Sequence, residues 1–407
     1  MDTDKRPAQP QTMSHAPVPH AQRGLISVFG STLFQLSGIF MLSPLMLLML
    51  KRADVSTTVA GLFAATTWLG IFIMTPFASQ VTRWLGQRQT MWLASVMPIV
   101  ATAGFLLTDA LWVWFALELL AGISGSLRWV LAEALTAEFA PAGKTGRTIG
   151  TYSTLVGLTF VIGPTLLAWV GPDSAAGLWW VLALLVIGLA WTALIPRLPR
   201  AHDTDTARVG WRGLWQALLS HPVVLLAGFV GGFFELGLAS TLPLFGLTLG
   251  MSASASALLV AVSGAGGTLL ALPSGLLADR FTNPAHGRRT LMTGCAGLLL
   301  LSTLAVPWVF QHSPLVWPLV AVWGAAGGAL YTLVMVDIGA TEKGMALVTS
   351  TSVLVLTYTL GGLVASGLSG ALLDRAPRVG FALLLVGVAA MGWLTLLRAQ
   401  RVRFKVK

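Results

Sequence analysis

The chain has 407 residues, of which 55% are hydrophobic and only 10% charged, and its mean hydropathy is +0.79. Water-soluble domains carry roughly a quarter charged residues, so this composition excludes an ordinary soluble enzyme and places most of the chain in lipid. The net charge of +10 is spread between apolar segments rather than gathered on one polar face, which argues against nucleic acid as a partner. The single cysteine, Cys295, has no second thiol for an intramolecular disulfide or a zinc site.

Residues 1–24 hold Pro7, Pro10, Pro17 and Pro19 among polar residues and read as a disordered tail. The first apolar run begins at Leu25 and is long enough to span, so it is expected to be retained rather than cleaved as a signal peptide. A bilayer crossing takes about 20 apolar residues. Twelve such runs follow, at 25–50, 56–82, 89–108, 111–140, 147–170, 175–196, 221–250, 254–279, 289–311, 314–338, 344–371 and 379–397. Residues 25–196 thus form a first six-helix bundle, 197–220 a polar cytoplasmic linker, 221–397 a second bundle, and 398–407 a basic cytoplasmic tail.

Sidedness follows from Lys and Arg, which cytoplasmic loops retain. With both termini in the cytoplasm, the opposite side holds only Lys51, Arg52, Arg375 and Arg378, while Arg128 lies within a span. The two bundles echo each other at a spacing of about 200 residues, the sign of an internal duplication. Val55-Ser-Thr-Thr-Val opens span two as Met251-Ser-Ala-Ser-Ala opens span eight. Pro76 precedes Arg83-Trp84 as Pro273 precedes Arg280-Phe281, and Gly122 and Gly125 in span four match Gly324 and Gly327 in span ten.

An ionisable group at the bilayer centre costs at least about 2.5–3.5 kcal/mol, so intramembrane charges are the functional pointers. Glu235 falls near the middle of span seven, within Gly231-Gly-Phe-Phe-Glu-Leu-Gly237. It is expected to load and release a proton or to meet substrate, the other reading being a buried structural partner. Span four carries Glu118, Arg128, Glu133 and Glu138. Arg128 lies about one turn from mid-membrane and cannot stay unpaired in lipid. It reads as a charge partner or substrate anchor, or as half of a structural ion pair. Glu133, five residues on, points elsewhere around the helix, toward another helix or a cavity.

Gln35, Tyr152, Tyr331 and Tyr358 are hydrogen-bonding candidates for that cavity, or packing residues. Asp337, at the cytoplasmic end of span ten, is expected in solvent. Trp112, Trp114, Trp179, Trp180, Trp308 and Trp317 lie near outer ends and suit an interfacial belt. No phosphate-cradling Gly-rich loop with its Lys, no nucleophile with a base, and no intramembrane pair of histidines can be named, so no enzymatic activity, cofactor or metal is expected.

The loop after span eight reads Gly275-Leu-Leu-Ala-Asp279-Arg280-Phe281, followed by Gly287-Arg288-Arg289. Gly275 is expected to permit close helix approach, Asp279 to cap a helix end or pair with an arginine, and the basic cluster to hold the loop inside. This order of residues resembles the loop signature of the major facilitator superfamily. The first-half counterpart, Ala78 to Arg88, is degenerate, with Thr82 or Arg83 at the acidic position, so the cytoplasmic latch is expected to rest on the Asp279 copy. Gly163-Pro164 in span five is similar to the helix-bending element of proton-driven exporters of that superfamily, and Arg128 resembles their fourth-helix arginine. The segments Leu127-Arg-Trp-Val-Leu-Ala-Glu-Ala134 and Gly324-Ala-Ala-Gly-Gly-Ala-Leu-Tyr331 resemble a bacterial branch, the YcaD-like permeases.

The resemblance implies an all-α integral membrane protein of the superfamily fold, with twelve transmembrane helices in two six-helix pseudo-repeats, monomeric in a bacterial inner membrane. It implies secondary active transport of a small organic molecule by alternating access, coupled to protons and directed outward. The other readings are a sugar or organic-acid importer, for which more polar cavity residues are expected, and a membrane sensor or scaffold that transports nothing.

Overall fold

The computed structural model describes residues 21–141, 145–171, 174–196, 222–281, 283–341 and 344–404. Among them all regular structure is helical, as lipid requires of segments that must pair every backbone N–H and C=O internally. The first bundle comprises α1 (Ala21–Arg52), α2 (Thr57–Met74), α3 (Gln87–Leu107), α4 (Leu111–Glu138), α5 (Thr145–Val170) and α6 (Ser174–Ala193). In the second, α7 runs as two α-helical segments, Pro222–Gly232 and Leu238–Thr248. It is followed by α8 (Ala253–Asp279), α9 (Pro284–Thr303), α10 (Val316–Thr341), α11 (Gly344–Arg375) and α12 (Gly380–Phe404).

Eleven of the described helices are long and apolar enough to cross a membrane. The twelfth, α9, holds the place of expected span nine. It stops at Thr303 rather than near residue 311, because the chain breaks into a separate turn, Val306–Val309, started by Pro307. Other edges differ from expectation as well: α2 ends at Met74, short of residue 82, and a 3-10 turn at Thr75–Phe77, which contains Pro76, leads into a separate helix, Ala78–Leu85. Residues 21–24 belong to α1 rather than to a disordered tail, and residues 398–404 extend α12 rather than forming a separate tail. In both cases good helix formers such as Ala, Gln and Arg continue a helix already nucleated by its membrane segment. The linker 197–220 lies outside the described residues.

The duplication expected from sequence has a structural counterpart at the caps. Ser56 accepts a hydrogen bond from the Val59 backbone N–H (3.3 Å) at the start of α2, and Ser252 accepts one from Ala255 (3.2 Å) at the start of α8, each satisfying a donor that the first helical turn leaves open. The glycine echo also packs alike. Gly122 of α4 lies against Thr67 and Gly70 of α2, while Gly324 of α10 lies against Ser263 of α8. Lipid gives helices little hydrophobic reason to associate, so such small residues set the contacts.

The two bundles meet chiefly along α2 with α11 and α5 with α8. On the side where α1 ends at Lys51 and Arg52, the Thr58 hydroxyl donates to Asp374 Oδ2 (2.8 Å) across the interface. One turn deeper, a Cβ on Gly61 would come within 2.6 Å of the Gly370 Cα, so the backbones themselves touch. Gly362 then packs on the Trp68 ring and Gly264 on Phe160. This seam runs from the Lys51 side to mid-depth.

Candidate functional site

At the inner end of that seam the regular winding of α7 fails. Phe233–Gly237 forms a single π-helical turn with Glu235 at its centre. π-Turns are rare within α-helices and are found mostly at functional sites, because the extra residue re-aims a side chain. Here Glu235 is delivered, half-buried, into the space where α7, α8, α10 and α11 converge. Its Oε2 accepts a hydrogen bond from the Tyr358 hydroxyl of α11. Its Oε1 lies where only glycines leave room: a Cβ on Gly328 of α10 would sit 2.9 Å away, and one on Gly267 of α8 would sit 3.5 Å away.

Tyr358 joins this carboxylate to the first bundle. Its ring meets Trp129 of α4 edge-on (centroids 6.5 Å apart, 84°) and Tyr331 of α10 (4.7 Å, 53°). Trp129 and Tyr331 stand at the same offset, seven residues after Gly122 and Gly324, so the pseudo-repeat supplies one ring from each bundle. Trp68, Ile71, Phe160, Leu236 and Leu363 complete the cluster. The Trp68 indole N–H, on a side chain 9% exposed, has no acceptor. One turn beyond Trp129, away from the Lys51 side, Glu133 accepts from the Trp129 indole N–H (2.9 Å) and is exposed. Glu133 and Glu235 both act electrostatically on Tyr331.

Arg128 occupies a different place. It is 1% exposed, inside the first bundle, and donates to the Ser31 hydroxyl from both terminal nitrogens (3.2 Å each) and to Ser95 (2.7 Å). Thr192 extends the hydroxyl group, meeting Ser31 at 2.5 Å and Ser95 at 2.9 Å. Among the described residues no carboxylate lies within 4.0 Å of Arg128, and its Nε has no partner. The structural ion pair that burial of an arginine leads one to expect is therefore replaced by a cage of neutral hydroxyls. Glu133 does turn away from Arg128, as the helical spacing predicts, and Tyr152 sits within electrostatic reach of both.

Several candidate residues are not brought together with Glu235. Gln35 is fully buried among α1, α3 and α6, donating to the Leu185 and Ser95 carbonyls (2.8 and 3.3 Å). It ties three helices, and its Oε1 has no hydrogen-bond partner. Tyr152 is 6% exposed and packs against Phe29 inside the first bundle. Gly163 meets the backbone of α1 at Ser37 and Met41, and α5 continues as helix through Pro164.

The loop motif needs two corrections. Gly275 has open space where a Cβ would lie, so it mediates no close helix approach here. Asp337 is not a solvated helix end. Arg288, 6% exposed at its side chain, donates from Nε to Asp337 Oδ1 at 2.8 Å, and the aspartate side chain is 16% exposed. The motif arginine thus ties α9 to α10. Gly287 packs on the Phe281 ring, Arg280 is exposed, and Arg289 is half-buried; the Asp279 side chain lies outside the described residues.

Sequence reasoning missed Trp68, Trp129 and Phe160 as interface rings, and Ser31 and Ser95 as partners of Arg128. It also gave no role to Glu118, which is 6% exposed and accepts a hydrogen bond from Thr67 where α4 crosses α2.

A helical membrane protein of two bundles with one packing plan, meeting around a carboxylate at mid-depth, has the architecture of a secondary transporter. The chain belongs to the Major Facilitator Superfamily, which residues 28–341 match. It is 27% identical over 384 residues to an uncharacterized MFS-type transporter of Yersinia pestis (strain Pestoides F), covering 92% of this chain and 95% of that one. It is 25% identical over 366 residues to the uncharacterized MFS-type transporter YcaD of Escherichia coli O6:K15:H31 (strain 536 / UPEC), covering 89% of this chain and 91% of YcaD. Among solved structures, the fold is similar to that of a bacterial homolog of the human lysosomal transporter Spinster in an inward-facing, unoccupied conformation. The TM-score is 0.72 at 14% identity, over 95% of this chain and 98% of that one.

Proposed function

We propose that this transporter couples the export of a small organic molecule to proton entry across a bacterial inner membrane, with Glu235 as the proton carrier. The observation that supports this reading is the π-helical turn that places Glu235 against Tyr358 and, through that ring, against the first bundle. A proton bound at Glu235 removes a charge next to the interface that alternating access must rearrange, which links protonation to conformation.

The reading places both termini, and the Arg280 side, in the cytoplasm. The seam of Thr58–Asp374, Gly61–Gly370 and Trp68–Gly362 then closes the outer side. The exposed Glu133 marks a cleft open to the cytoplasm, from which an exporter loads. Arg128 serves as the fixed positive charge of the first bundle, held by the Ser31 and Ser95 hydroxyls. The chain works as a monomer, and the Asp279 loop acts as a latch on the cytoplasmic side.

The test is uphill movement in proteoliposomes under an imposed pH gradient, using ethidium, uridine, xylose and naphthalene sulfonate as probes. Accumulation of at least one probe that collapses with the pH gradient is expected. Accumulation indifferent to the gradient would remove protons from the mechanism.

A further inference from the structure

The space between the bundles carries a chemical signature of its own. Two carboxylates face it. Glu133 is exposed and accepts a hydrogen bond from the Trp129 indole N–H, and Glu235 is half-buried under the Tyr358 hydroxyl. Ring faces and edges flank them, from Trp129, Tyr331, Tyr358 and Trp68 at the roof to the Phe40–Phe160 stack beside it (centroids 3.7 Å apart). The positive group at this depth, Arg128, is turned into the first bundle and spent on serine hydroxyls. The Trp68 indole N–H, buried in the same cluster, still lacks an acceptor.

We infer that the carried molecule is an organic cation with a flat apolar body, held between Glu133 and Glu235 against the Trp129, Tyr331 and Tyr358 rings. This deepens, and rests on, the transporter reading. Among the described residues an organic anion would meet two carboxylates, with the Arg128 guanidinium buried inside the first bundle. A neutral sugar offers no positive charge to answer the two carboxylates. An aromatic amine or quaternary ammonium matches both features at once, by ion pairing and by attraction to ring faces, which strengthens where water is excluded. An acceptor atom on its body would satisfy Trp68. Among the described residues, the titratable and charged groups that bear on the site are Glu133, Glu235, Tyr331, Tyr358 and, from behind, Tyr152 and Arg128.

The experiment measures binding to the purified full chain in detergent by quenching of tryptophan fluorescence, with tetraphenylphosphonium and ethidium as cations, naphthalene sulfonate as an aromatic anion and uridine as a neutral ring. The cations are expected to bind, and the anion and uridine at least about 10-fold more weakly. Glu133→Gln should weaken cation binding about 10-fold, and Trp129→Ala similarly, with Trp129→Phe restoring part of it. Size-exclusion profiles confirm that each variant is folded; Glu133→Gln alters an exposed side chain and serves if the tryptophan variants fail. Anion or uridine binding equal to or tighter than cation binding, or no binding of any probe, would overturn the inference. Cation binding without uphill transport would leave the cation site standing and overturn proton-coupled export instead.

Discussion

Tyr358 and Glu235 lie 123 positions apart, on α11 and α7, yet the phenol donates its hydrogen bond directly to the carboxylate. Both belong to the second bundle, and the same phenol ring packs edge-on against Trp129 of the first. A change of charge at Glu235 is therefore felt by a ring that forms part of the contact between bundles. Conformational coupling requires such a link, a group whose interactions differ between the two states.

Tyr358→Phe keeps the ring and its packing while deleting the hydrogen bond. A bond to a charged group contributes about 1.5–3 kcal/mol, so gradient-driven transport should slow about 10-fold or more with little change in substrate affinity. Initial rates at saturating substrate are the readout, and a wild-type rate would mean that this bond takes no part in turnover.

Gly328→Ala places a methyl group 2.9 Å from Glu235 Oε1, and the carboxylate must move. Overpacking of this kind costs about 1–3 kcal/mol, so both thermal stability and transport should fall. Gly294→Ala and Gly387→Ala, where a Cβ meets open space, should be neutral or slightly stabilising. Equal behaviour of all three would show that the glycine-lined space around Glu235 is not tight.

The Thr58–Asp374 hydrogen bond bridges the bundles on the Lys51 side, and the proposed alternating access requires it to break. In a Cys295→Ala background, Thr58→Cys with Asp374→Cys should form a disulfide on mild oxidation, stop transport, and recover on reduction. Continued turnover of a fully cross-linked protein would rule out opening on that side.

Arg288 and Asp337 form a partly buried pair between α9 and α10. Because Asp337→Ala takes the Nε partner from a nearly buried guanidinium, that substitution should destabilise by about 2–4 kcal/mol, and a double-mutant cycle with Arg288→Ala should return about 1–3 kcal/mol of coupling. Additive losses would mark the pair as incidental.

Much of the fold is readable in the sequence because lipid imposes a simple rule: apolar runs of fixed length become helices. The repeated Ser56 and Ser252 caps and the Gly122 and Gly324 echoes reveal the duplication for the same reason, being local signals. Glu235 is equally legible, since a lone carboxylate in an apolar run is costly wherever it points. What escapes is anything that depends on helix rotation. Trp68, Trp129 and Phe160 are apolar residues in an apolar helix, with no mark to separate a ring at the interface from one in lipid. Gln35 and Tyr152 look like cavity groups until the packing turns them inward. Asp337 reads as a solvated end because its partner, Arg288, lies 49 residues away in a motif whose arginines suggest topology rather than pairing. The π-helical turn at Phe233–Gly237 has no sequence period of its own, so it becomes visible only in three dimensions.

The most direct test of proton coupling at Glu235 is the movement of protons themselves. Proteoliposomes loaded with a pH-sensitive dye, holding wild-type protein or Glu235→Gln, would be challenged with whichever probe the binding assay selects. Wild-type protein should move protons in the direction opposite to the probe, while Glu235→Gln should bind the probe, exchange it down its gradient and move no protons. Probe-driven proton movement by Glu235→Gln at the wild-type rate would contradict the assignment.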